Sequence, residues 1–109
     1  MSNYNSEIDI SSSLILTEEL KAELLSSVSK LYTSMTHGDI TTSARSEIFA
    51  DILIDTYLLA EMLGVSNNAL DTKLLSRIRL MLLDDNCSDI VKRTLLQLSK
   101  HIDKNRDIR

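Results

Sequence analysis

A chain of 109 residues with 12 Lys and Arg against 16 Asp and Glu carries a formal net charge of −4. That length makes one small domain, able to bury roughly two thirds of its unfolded surface. Apart from Arg77/Arg79 and a basic C-terminal tail the cations are scattered, there is no Trp and there is one Phe. These counts exclude a clustered basic face and a platform for stacked bases, so nucleic acid is not an expected partner.

Cys87 is the single cysteine, which excludes an intramolecular disulfide and a cysteine-built zinc site. It is expected in a turn or at a helix entrance. The opening residues MSNYNSEIDISSS lack a basic start and an apolar h-region, and no apolar run approaches the ~20 residues of a membrane span. The expectation is a cytoplasmic protein with no membrane partner.

Pro is absent and the glycines are Gly38 and Gly64, so the chain reads as helices joined by short loops. Residues 1–13 are polar and are expected to form a flexible arm. Thr17 reads as an N-cap followed by Glu18 and Glu19, where the helix dipole favours acids. Leu20, Leu24, Val28, Leu31 and Met35 continue as one apolar stripe, and Gly38 is placed as the stop.

Thr41, Thr42 and Ser43 offer caps for a second helix running to about Leu63 and ending at Gly64. It is apolar around most of its circumference, as suits the centre of a bundle. Ser66 is placed as the cap of a third helix with Leu70, Leu74, Ile78 and Met81 on one stripe. Asp84-Asp85-Asn86 breaks it. Ser88 then caps a fourth, carrying Val91, Leu95, Leu98 and Ile102. No segment alternates long enough for a strand. The fold class is all-α: a compact four-helix bundle over residues 14–103, with residues 104–109 as a frayed tail. The apolar area of four such helices exceeds what one small bundle hides, so a homo-oligomer, in the simplest case a dimer, is expected.

The second helix holds the residues that bear on chemistry. Glu47, Asp51 and Asp55 recur at intervals of four, which brings them to one side of a helix otherwise made of Ile, Leu, Phe, Ala and Tyr. A buried charge persists when it is paired. Asp51 is therefore read as a structural acid with Lys30, Lys73 or an arginine as partner, and Asp55 as an acid facing a basic or hydroxyl group. Glu47 is read as an exposed acid near the helix start.

The stretch ADILIDTYLLAEMLGVSNNALDTKLLSRIRL carries a resemblance. Ala50, Asp51, Leu53, Leu59, Ala60, Leu63 and Gly64 fall in step with a helix phrase of the MazG-like family. Ala69-Leu70 and Lys73-Leu74 fit the start of its next helix. The chain resembles a divergent branch of that family, among the all-α nucleoside triphosphate pyrophosphohydrolases, over residues 20–83. The resemblance implies a dimeric or tetrameric helical bundle. Active members cleave nucleoside triphosphates to monophosphate and pyrophosphate with Mg²⁺, held by E-E-x-x-E on the first helix and E-x-x-D on the later one.

This chain departs from that pattern. Ser26, Ser27 and Lys30 stand where the first three acids belong, and Ile48 stands at the fourth. Asp51 alone remains. A register one turn away recruits Glu18, Glu19 and Glu23, at the wrong interval. A hard dication that loses most of its carboxylates loses its reason to bind, so no metal is expected and the metal-binding motif reads as degenerate. The expected function is a catalytically degenerate relative, acting by association or by binding a nucleotide through Lys30 and Arg77. The balance of residues is against catalysis. The alternative is an active Mg²⁺-dependent enzyme with a rearranged cluster: Asp51, Glu47 and Asp55 as catalytic acids, Asp51 and Glu47 as metal ligands. A small signalling adaptor built from helix packing is a third reading. His37 and His101 are read as helix-end residues, since no acid–histidine–nucleophile set is visible. Tyr57 is read as core.

Overall fold

The structure is a computed structural model that describes the backbone of residues 3–108 and the side chains of residues 10–105. The all-α class is what it shows. Among the described residues there are four helices and no strand: α1 (Asn3–Thr36), α2 (Thr42–Met62), α3 (Asn67–Leu82) and α4 (Asp89–Ile108). They form two compact units, Met1–Val65 with α1 and α2, and Ser66–Arg109 with α3 and α4.

α1 begins at Asn3, so Thr17 lies inside the helix and not at its start. Its hydroxyl donates to the Ser13 carbonyl at 2.7 Å, the back-bond to the preceding turn open to any mid-helix threonine. With no Pro or Gly before Gly38, nothing in residues 3–16 interrupts the helix. Of residues 1–13, expected as an arm, 3–13 are thus helical, as are 104–108 of the expected tail 104–109; residues 1, 2 and 109 lie outside the described residues.

The α1–α2 hairpin packs through a seam with coiled-coil spacing. On α1, Leu20, Ser27 and Ser34 are buried and Leu24 and Leu31 half-buried. On α2, Asp55 is buried, and Ile48, Ile52, Leu59 and Met62 are half-buried. The seam therefore departs from the stripe read in the sequence. Ser34 sits inside where Met35 was expected, and Met35 is 69% exposed. Two of the buried seam positions are thus held by small polar side chains, Ser27 and Ser34. The remaining sides of α2 stay exposed, including Phe49, Leu53, Ile54 and Leu58.

The loops follow local rules. Thr41 caps α2, its hydroxyl accepting from the Ala44 N–H at 3.0 Å. At the other end Val65 N–H donates to Ala60 at 2.8 Å and Gly64 N–H to Glu61 at 3.1 Å. That is a Schellman ending, and it places Gly64 at φ +88°, where glycine alone is unstrained. Gly38 has no positive φ; α1 stops at Thr36, ahead of a turn through Gly38 and Asp39.

In the second unit Ser66 caps α3, accepting from Ala69 N–H at 3.1 Å. Ser88 caps α4, accepting from Val91 N–H at 3.3 Å. Between them Asp84 accepts from the Asn86 N–H at 2.9 Å, the Asx turn that breaks the helical run. Cys87 lies half-buried in that turn. The core here is Leu75, Ile78 and Ile102, with Leu74, Leu82 and Leu95 against it. Met81, Val91 and Leu98 from the expected stripes are exposed; on α3 Leu75 takes the inner place expected for Met81, because its buried side runs through Asp71, Leu75 and Ile78.

Candidate functional site

An acid and a hydroxyl, Asp55 and Ser27, meet where α1 and α2 pack along the hairpin. Asp55 is the most buried large side chain described, 2% exposed, at a seam position of α2. Opposite it, Ser27 donates its hydroxyl to Asp55 Oδ2 at 3.5 Å. A hydroxyl partner, one of the alternatives expected for Asp55, is thus found.

Glu23 lies one turn before Ser27 on α1 and is exposed. The negative charge of Asp55 raises its carboxyl above the ordinary value of 4.5, helped by desolvation, a side-chain hydrogen bond with Asp55 and the charge of Asp51; Lys30 opposes the shift. Glu23, Lys30, Asp51 and Asp55 therefore share one electrostatic neighbourhood. Two carboxyls that share a hydrogen bond hold a proton between them more readily than two isolated ones.

The column read in the sequence does not stay on one surface. Steps of four residues turn the side chain by about 40° each. Asp55 consequently points into the seam, while Asp51 and Glu47 are exposed. Among the described residues no ion pair joins Lys30 to Asp51, and both are exposed; the pair that is formed links Lys21 to Glu18 at 3.0 Å. Arg77 is an exposed residue of α3, carried by the second unit. His37 follows the end of α1, as expected. His101 lies within α4, not at its end, and shares a 3.2 Å hydrogen bond with Asn105.

A model of the MazG-like family matches residues 10–90. The chain belongs to the MazG-like family. No curated protein and no solved structure gives a match.

Membership raises the question of magnesium, and the donor set answers poorly. Mg²⁺ demands octahedral oxygen ligands and keeps several waters. Of the positions that the resemblance sets against the metal motif, Ile48 is half-buried in the seam, Ser27 is buried on Asp55, Ser26 is exposed and Lys30 brings positive charge. Asp51 supplies the one carboxylate. Asp55 is enclosed by α1 and has no open side for a hydrated ion. Among the described residues no group of three or more His, Cys, Asp or Glu side chains could hold a metal. The residues present do not fit the ion.

The sequence pointed to Glu23 only through the shifted register. Its signal is the interval of four to Ser27, matched by the interval of four between Asp51 and Asp55 on the facing helix.

Proposed function

We propose that this MazG-like chain is a catalytically degenerate relative of the nucleoside triphosphate pyrophosphohydrolases, working by association or by holding a nucleotide without cleaving it. Family membership suggests a helical domain of the nucleotide pyrophosphohydrolase type. The observation that carries the degenerate reading is the Ser27–Asp55 hydrogen bond. Where the resemblance places an acid, this contact sets a neutral hydroxyl against Asp55, which supports the reading. Lys30, exposed on α1, and Arg77, exposed on α3, are each a cation able to meet a phosphate by simple charge, each within its own unit. The chain acts as a homo-oligomer in the cytoplasm, needs no cofactor and engages neither nucleic acid nor membrane. The described residues contain no helix long and apolar enough to cross a bilayer.

The test is pyrophosphate release from a panel of ribo- and deoxynucleoside triphosphates, with Mg²⁺ or Mn²⁺, at high protein concentration. The expected result is no metal-dependent turnover. A second reading is favoured by one observation, the grouping of Glu23, Asp51 and Asp55: an active enzyme with a rearranged acid cluster. Turnover that Asp51→Asn abolishes would establish that reading and remove the first.

A further inference from the structure

We propose that one side of α1, formed by Leu14, Glu18, Lys21 and Leu25, is the pairing face for a second copy of this chain, docked antiparallel. The inference deepens the homo-oligomer part of the proposed function by naming the surface.

These four positions recur at intervals of four, three and four, the spacing of a helix–helix seam. They lie about 120° around the helix from the seam that α1 gives to α2. All four are open: Leu14 is 64% and Leu25 73% exposed, and the side chains of Glu18 and Lys21 are 71% and 54% exposed. Tyr32 and Met35, each 69% exposed, continue the same stripe.

What selects a second copy is the order of the residues. A two-fold interface requires that if one residue meets another, the second meets the first. Read from either end, the stripe runs Leu, acid or base, its opposite, Leu. An antiparallel copy with its axis level with Glu19 and Leu20 sets Leu14 against the partner copy's Leu25 and Glu18 against its Lys21, and each contact recurs in reverse. Within one chain Glu18 and Lys21 already form a 3.0 Å ion pair. In the pair these become four alternating charges between two leucine contacts. Such a charge pattern fixes register and partner more than it adds affinity.

The test uses the full chain. Its mass is measured by sedimentation for wild type, Glu18→Lys, Lys21→Glu and an equimolar mixture of the two variants. Each variant alone sets like charges against each other across the axis. In the mixture, the all-basic stripe of the first variant meets the all-acidic stripe of the second. The expected results are a wild-type dimer, association weakened about tenfold or more in each variant, and a dimer restored on mixing. Restoration on mixing cannot come from the pair within one chain, and unchanged helical circular dichroism shows that the variants fold. Variants that dimerise like wild type, or a mixture that stays monomeric, overturn this face and leave the homo-oligomer reading standing. A monomeric wild type at all concentrations overturns both.

Discussion

Glu23 and Asp55 illustrate how a buried acid acts on an exposed one across a helix seam. With Asp55 enclosed by α1, the negative charge of that carboxylate works on Glu23 and holds its proton on to higher pH. The folded-state value of Glu23 is raised above its unfolded one. Its contribution to stability is therefore full below the ordinary value of 4.5 and lost as pH rises through the raised value. Glu23→Gln should melt at a higher temperature than wild type near pH 7 and lose that part of the pH dependence. Thermal melts from pH 4 to pH 7 read this directly, and equal slopes for the two proteins would refute the coupling. Ser27→Ala tests the other partner. Removing the hydroxyl takes away a long hydrogen bond to Asp55 Oδ2 in the seam and should cost about 0.5–1.5 kcal/mol in urea unfolding.

At the scale of elements, the caps and stops set the helix ends. Gly64 holds φ +88° in the Schellman turn, and a Cβ there would meet no atom within 4 Å, so the cost of a side chain is conformational. Gly64→Ala should lose about 1–2 kcal/mol, and Ser66→Ala about 1 kcal/mol through its cap on Ala69. Both are measured by denaturant midpoint. These ends were legible in the sequence because they depend on two or three neighbouring residues. Thr41, Gly64, Ser66 and Ser88 all serve as read. Thr17 was not, because a threonine hydroxyl satisfies a carbonyl of the preceding turn as readily as it caps a helix, and no breaker lies before it. Leu20, Leu24 and Leu31 announced the first seam by their period. Ser27 and Ser34 could not, since a serine buried in a seam looks like any polar residue until the facing helix is placed. The same holds for Glu23: its closeness to Asp55 depends on the register between α1 and α2, which no single helix encodes.

Across the whole molecule, the family was the most legible property. Its signature sits in the α2 phrase through Ala60 and Gly64 and the opening of α3, and the family match spans residues 10–90. Chemistry was less legible, because it depends on which acids share a surface. Glu47, Asp51 and Asp55 look like one column, yet the helix turns Asp55 inward and leaves the other two in solvent. The abundance of exposed apolar residues, from Leu25 and Tyr32 on α1 to Phe49, Leu53 and Ile54 on α2, suits a chain that associates. Family membership and the proposed loss of catalysis are compatible because a scaffold keeps its packing when a site changes residue by residue.

The degenerate reading stands or falls on whether the acids of this MazG-like scaffold still hold a divalent cation. Titration of the purified chain with Mn²⁺, followed by electron paramagnetic resonance of the free ion, decides this without requiring a substrate. The free-ion signal should track the added metal and be the same for wild type and Asp51→Asn. A stoichiometric loss of signal in wild type, removed by Asp51→Asn, would show a working metal site and contradict the degenerate reading.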